Sequence, residues 1–259
     1  MIERDLNFEG IDNFRDYGGY QAAGGRLRMG RLYRSAHHGA ATDKDLELLS
    51  KLGVAALFDM RGAEERAFAP SRRPANFTYN VMECDLALGG GVPAALVASL
   101  REAKTEAEAL RLYAESYKSL AVLPGIVAAY RAMFSALVDG DGASIIHCNA
   151  GKDRTGIGAA LVHHALGVHP DDIMADYMLT NTVRGAEQRI ALNSFKLRAA
   201  LGADVPDEVA TAYSIVTPEY LDAAFAAIKA RSGGIEAYLR DDLGADARWR
   251  AKAERVLLA

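Results

Sequence analysis

Ser144-Ile145-Ile146-His147-Cys148-Asn149-Ala150-Gly151-Lys152-Asp153-Arg154-Thr155-Gly156 is the stretch on which the reading of this chain turns. The β-branched pair Ile145-Ile146 and its neighbours read as a short buried strand, and a helical pattern begins near Arg154. Between them lies a loop in which a cysteine ends the strand and an arginine opens the helix. Successive backbone N–H groups of so short a turn point inward and form a nest for a tetrahedral oxyanion. Gly151 supplies backbone freedom there. The helix adds its positive end and its unpaired N–H groups. Arg154 offers a planar fork that matches two phosphate oxygens. Cys148 beneath this cradle is expected to sit in a field that favours the thiolate. The spacing of His-Cys, Arg, Thr and Gly is expected by chance in on the order of one chain in ten thousand of this length, so a coincidental buried cysteine beside a surface arginine is the poorer account. A Walker loop does not fit, because Lys152 is followed by Asp153 and the upstream glycine spacing is missing. Gly156-Ile157-Gly158 reads as close helix packing rather than as half of a dinucleotide fingerprint.

Working outward, short β-rich runs alternate with helical ones. Residues 31–34, 54–58 and 79–82 read as strands. Thr42 is placed to cap a helix running to about Leu52, with Asp45 completing a partial capping box. Pro124 opens a helix with Ile126, Val127, Tyr130, Met133, Phe134 and Leu137 on one face. Further helices are expected over 154–166, 171–180 and 218–230, the last capped by Thr217 and followed by Gly233. The alternation predicts an α/β fold with a central, mainly parallel sheet flanked by helices. No linker or repeat divides residues 1–259, so a single domain is expected. Gly89-Gly90-Gly91 breaks the chain, and 89–120 reads as a helical insertion over one edge. Ligands in such sheets bind beyond the carboxyl ends of the strands, which points to the loops after Phe58 and His147.

The chain has 259 residues, half of them apolar and a quarter charged, with a net charge of −4. That composition excludes disordered, collagenous and disulfide-knit classes. The charge argues against broad nucleic-acid binding. No apolar run reaches the ~20 residues of a membrane span, and the start lacks the apolar core of a signal peptide, so a cytoplasmic protein is expected. The two cysteines, Cys84 and Cys148, form no CxxC, and His37-His38 and His163-His164 are adjacent pairs. A metal site is therefore not expected, and no cofactor is implied.

The segment HCNAGKDRTG resembles the signature loop of the cysteine-dependent protein tyrosine phosphatases. Its GKDRTG form is similar to the bacterial atypical branch of dual tyrosine/lipid phosphatases. Further matches are Asn13-Phe14-Arg15-Asp16 with Gly18-Gly19, Gly30-Arg31-Leu32-Tyr33-Arg34-Ser35-Ala36, Asp59-Met60-Arg61, Glu219-Tyr220-Leu221 and 234–239, so the resemblance covers nearly the whole chain. Met60 stands where that branch often has leucine. The resemblance implies a cysteine-phosphatase type of fold, with 89–120 as a lid. It also implies phosphomonoester hydrolysis through a cysteinyl-phosphate, without a metal. The substrates would be phosphotyrosine, with phosphoserine, phosphothreonine and phosphoinositides as further candidates, carried on a phosphorylated protein or a lipid.

Within that reading Cys148 is the nucleophile and Arg154 the phosphate fork. Asn149, Ala150, Gly151, Lys152 and Thr155 line the cradle, with Thr155 placed to donate to the sulfur. His147 orders the loop from below. Lys152 either meets a second substrate phosphate or is a solvated lysine. The general acid is expected to be Asp59, just past a strand beside the cysteine strand. Asp153 is the competitor and Asp85 a third choice, while Asp59 paired to Arg61 or Arg34 is the structural alternative. Asp153 is alternatively a partner for Arg15 or Arg34. Cys84 is either a buried thiol or a redox partner for Cys148. The competing functions are a phospho-ligand binding module without turnover and a thiolate enzyme of the arsenate or sulfur-transfer type.

Overall fold

The computed structural model describes residues 4–84, 94–201 and 205–259. The Gly89-Gly90-Gly91 break and Asp85 lie outside the described residues. In chain order the first half contains β1 (Arg15–Asp16), β2 (Gln21–Ala22), β3 (Gly25–Arg26), β4 (Leu32–Ser35), α1 (Asp43–Lys51), β5 (Val54–Asp59), α2 (Ala63–Phe68) and β6 (Asn80–Glu83). Next come α3 (Ala94–Glu102), α4 (Glu106–Val122), α5 (Pro124–Leu137), β7 (Ala143–His147), α6 (Asp153–Ala165) and α7 (Pro170–Met178). The chain closes with α8 (Ala186–Leu201), α9 (Asp207–Ser214), α10 (Pro218–Ser232), α11 (Ile235–Ala237) and α12 (Ala247–Leu257).

The expected architecture, an α/β fold built around a central sheet, is not what the chain adopts. Helix accounts for 56% of the structure and strand for 12%, in small and mostly non-central sheets. The physical reason lies in the lengths of the elements. The strands span two to six residues, too few to organise a core. The Ala-rich second half buries its apolar faces helix against helix. Tyr117 and Ala121 of α4 and Tyr220, Leu221 and Ala224 of α10 are all buried where those two helices pack together. Counting each short β-rich run as equal to a helix overstated the sheet.

A five-stranded sheet in the order β1-β4-β7-β5-β6 nevertheless carries the signature loop. β7 lies parallel between β4 and β5, with Ser35 opposite His147 on one side and Asp59 opposite His147 on the other. Cys148 therefore leaves the sheet beside the ends of both neighbours. The elements around it follow from local sequence. Thr42 accepts from Asp45 N while the Asp45 carboxylate takes Thr42 N, a closed capping box. The six large apolar residues expected on one face of the Pro124 helix are all buried. Gly158 lets α6 lie close to the sheet: a Cβ there would stand 2.6 Å from Ile146 Cδ1 and 2.9 Å from Tyr130. Among the described residues no single helix is long and apolar enough to cross a membrane.

Three buried histidines, His38, His147 and His163, lie close to this sheet. Burial disfavours their charged forms, holding His38 and His163 below the ordinary value and His147 down at about 4. In the unfolded chain they take up protons near pH 6.5. A lowered folded value means the contribution is complete above that pH and is lost as pH falls toward 4. For His147 alone the loss is on the order of 3 kcal/mol. Asp16, raised by burial, works in the opposite sense, one group against three. Urea midpoints are expected to fall steadily from pH 7 to pH 4.5, and an unchanged midpoint over that range would refute this assignment.

Candidate active site

Cys148 directly follows β7, is 2% exposed and lines a pocket beside the loop. Gly151 gives the loop its shape. Its φ is 64°, and a Cβ there would stand 2.4 Å from the backbone of Ser35, which no side chain tolerates. The loop is also tied down from outside. Asn13, itself at φ 56°, donates to the carbonyls of Gly151 at 2.8 Å and Ala150 at 3.3 Å. Arg34 donates to Gly151 O at 3.2 Å, and His37 N to Asn149 O at 3.1 Å. With its carbonyls drawn outward, the loop leaves its N–H groups for an anion.

Under the loop is a buried charge cluster. Asp176 of α7 accepts from Arg34 Nη1 at 2.8 Å and faces Arg15 Nε at 3.8 Å. Arg15 also donates to Asn13 Oδ1, to Asp176 O at 3.1 Å and to Thr180 Oγ1 at 3.1 Å. Burial, and then the Arg34 charge, pull Arg15 down to about 9. Burial alone would raise the Asp176 carboxyl, but the two arginines hold it below the usual carboxylate range. Asp176, not Asp153, is thus the partner of Arg15 and Arg34.

Arg154, on the first turn of α6, has its fork occupied by Glu65 of α2. Nη1 meets Oε2 at 2.5 Å, Nη2 meets Oε1 at 2.7 Å, and Nη1 also reaches Met60 O at 2.9 Å. Burial works against the guanidinium charge, and the Glu65 carboxylate more than compensates, so Arg154 stays protonated. Glu65 in turn accepts from Gly62 N at 2.9 Å. Neither α2 nor Glu65 stood out in the sequence reading. Gly62 followed three residues later by a glutamate, just past the end of β5, was the available signal.

Asp59 is 1% exposed and fully engaged by Arg61: Oδ1 accepts from N at 3.1 Å and Nε at 2.9 Å, and Oδ2 accepts from Nη2 at 2.7 Å. Burial would raise this carboxyl, but Arg61 and then His147 keep it below its usual range. His147 Nε2 lies 3.7 Å from Asp59 Oδ2, and its Nδ1 is 3.2 Å from Cys148 O. The Asp59 carboxylate does not line the pocket above Cys148. Asp153 does, together with Cys148, Asn149, Ala150, Lys152 and Arg154.

The other wall is helical. Tyr113 and Tyr117 of α4, Asn193 of α8 and Tyr213 of α9 border the pocket. Tyr117 Oη donates to Asp153 Oδ1. Lys152 borders the pocket but is not solvated. It is 2% exposed, donates to the carbonyls of Tyr213 and Ile215, and stands 4.7 Å from the centre of the Tyr113 ring and 5.2 Å from that of Tyr213. Burial lowers its ammonium from the ordinary value. The Thr155 hydroxyl is buried with no hydrogen-bond partner, so it does not donate to the sulfur here. Cys84 is a buried thiol that donates to Gly125 O at 3.5 Å, and it forms no disulfide with Cys148. Among the described residues no group of three or more His, Cys, Asp or Glu side chains is arranged to hold a metal ion.

The sequence has relatives. A protein of Cupriavidus necator named as a tyrosine-protein phosphatase is 35% identical over 246 residues, covering 93% of this chain and 85% of the relative. The triple specificity protein phosphatase PtpB of Mycobacterium tuberculosis is 30% identical over 272 residues, covering 93% of this chain and 94% of that protein. The model of the tyrosine phosphatase family matches residues 6–259, so the thiol under an arginine-headed loop belongs to a member of that family, a cysteine-dependent phosphatase.

Proposed function

We propose that the chain hydrolyses phosphomonoesters in two steps, with phosphotyrosine as its main substrate and phosphoserine, phosphothreonine and phosphoinositides within its range. In the first step the Cys148 thiolate attacks phosphorus, the ester P–O bond breaks, and Asp153 gives its proton to the departing oxygen. In the second, water attacks the cysteinyl-phosphate, Asp153 takes the water's proton, and the S–P bond breaks to release phosphate and the thiolate. Loop N–H groups and Arg154 stabilise the equatorial oxygens in both steps. Glu65 orients the Arg154 fork until a phosphate shares it.

One observation carries the choice of acid. The Asp153 carboxylate borders the pocket beside Cys148 and Arg154, whereas both oxygens of Asp59 are taken by Arg61 outside it. Breadth of substrate is favoured by the likeness to a relative named for triple specificity. The reading also takes 1–259 as one phosphatase domain, with the helices inside 89–120 covering the site. Support for that comes from Leu96 of α3 and Tyr113 and Tyr117 of α4 in the pocket wall.

The test is a panel of a phosphotyrosyl peptide, a phosphoseryl peptide and a short-chain phosphoinositide, ranked by kcat/KM. Measurable turnover of all three with phosphotyrosine first is expected, and no turnover of any of them overturns the proposal. Asp153→Asn should lower kcat/KM, which reports the first step, about a hundredfold for esters with poor leaving groups and only a few-fold for activated aryl phosphates. If Asp59→Asn shows that selectivity and Asp153→Asn does not, the acid is Asp59.

A further inference from the structure

α4 reaches the signature loop with two tyrosines one helical turn apart. Tyr113 Oη is 3.4 Å from Lys152 Nζ, and Tyr117 Oη donates to Asp153 Oδ1. Tyr117 is itself held. Tyr177 of α7 donates to its hydroxyl oxygen at 2.9 Å, and both rings are 1% exposed. The Tyr177 ring is fixed in turn against Gly156, where an added Cβ would stand 2.8 Å from it. The result is a directed chain of hydroxyls, Tyr177 to Tyr117 to Asp153, running from the core to one carboxylate oxygen of the pocket. The Asp153 side chain is 23% exposed and also lies 3.5 Å from Lys152 through the same Oδ1. Both fixed contacts therefore fall on Oδ1.

We propose that Tyr117, backed by Tyr177, is a positioning residue for proton transfer: by occupying Oδ1 of Asp153 it leaves Oδ2 to carry the proton toward the leaving oxygen. The proposal rests on the reading of Asp153 as the general acid. A carboxyl group free to rotate about its Cβ–Cγ bond presents its proton to the substrate in only part of its orientations. A donor fixed on one oxygen removes the unproductive ones. A residue from the helical cover thus completes the acid. The phosphate cradle, built from the loop, Arg154 and Glu65, does not need it.

The two parts separate experimentally. Tyr117→Phe removes one oxygen and keeps the ring that packs on Tyr113 and Tyr220. On an alkyl or phenyl phosphate, kcat is expected to fall about tenfold with KM within twofold. On a dinitrophenyl phosphate, whose departure in the first step needs little protonation, kcat/KM should stay within about twofold. Tyr177→Phe should give the same pattern at smaller amplitude, and Tyr117→Phe should add nothing to Asp153→Asn. If Asp153→Asn is selective for poor leaving groups and Tyr117→Phe slows all esters alike or none, the positioning role is wrong and the acid assignment stands. If Asp153→Asn itself shows no such selectivity, the acid assignment has failed. Thermal melts of both tyrosine variants within a few degrees of the parent exclude misfolding as the cause, and a larger loss counts against a local role.

Discussion

Cys148→Ser should reduce turnover by at least about four orders of magnitude while leaving the protein folded and able to hold a phosphate ester. A hydroxyl just past the end of β7 is roughly isosteric with the thiol but is not ionised at neutral pH, and Asp153 serves as the proton donor of the first step rather than as a base for position 148. His147, the nearest candidate by sequence, is buried with its ring near the Cys148 carbonyl and its charge suppressed, so it does not take that role. The cradle is independent of the sulfur. Its shape comes from Gly151 at positive φ, from Asn13 and Arg34 on the loop carbonyls, and from Arg154 on Glu65. Binding of inorganic phosphate or of a slow aryl phosphate, followed by calorimetry, should therefore persist within about tenfold in the variant. Residual turnover above one percent of the parent would mean that another group attacks phosphorus, and loss of both binding and turnover would mean that the sulfur shapes the loop.

How far such a site can be read from sequence depends on the range of the interaction. The loop was legible because its parts are neighbours: a strand end, a glycine where no Cβ fits and an arginine on the first helical turn all lie within Cys148 to Thr155. The Pro124 helix and the Thr42 cap were legible for the same reason, since each rests on residues within two or three turns. The partners of the loop were not. Glu65 meets Arg154 across 89 positions, and Asp176 meets Arg34 across 142. Local pattern says nothing about which of many carboxylates completes such a pair. Asp59 shows the same limit. Its place at a strand end was visible, but Arg61 taking both its oxygens was only one of several options. Lys152 was read as free or reaching outward because α4 and α9, which bury it, come together only in the folded helical mass. That mass is also where the sheet-centred expectation failed. Short strands announce themselves by β-branched residues, whereas the weight of the Ala-rich helices shows only when their faces are paired.

Asp176→Ala should be the most destabilising single change near the site, by about 3–5 kcal/mol. Among the described residues Asp176 is the one acidic side chain paired with both Arg15 and Arg34, all three with side chains no more than 2% exposed. Removing it leaves two guanidinium groups buried side by side, with only neutral acceptors such as the Asp176 and Gly151 carbonyls and Thr180 Oγ1. Arg15, already pulled down by burial and by Arg34, loses the charge that opposes both. For a chain of this size each kcal/mol corresponds to roughly 2–4 °C, so the melting temperature should drop by about 10 °C. Asp176→Asn keeps an acceptor and the shape but not the charge, and should fall between the variant and the parent. The exposed pair Arg240–Asp241 supplies the contrast: Asp241→Ala should leave the melting temperature nearly unchanged, because water screens that pair. The damage should also reach catalysis, since Arg34 and Asn13 hold the Gly151 carbonyl from the same cluster. Where Asp176→Asn remains folded, kcat/KM should decline for good and poor leaving groups alike, because the cradle loosens rather than the acid. A melting temperature for Asp176→Ala within 2 °C of the parent, about the effect of a single exposed charge, would show that the buried arginines find compensation elsewhere and that the loop does not rest on them.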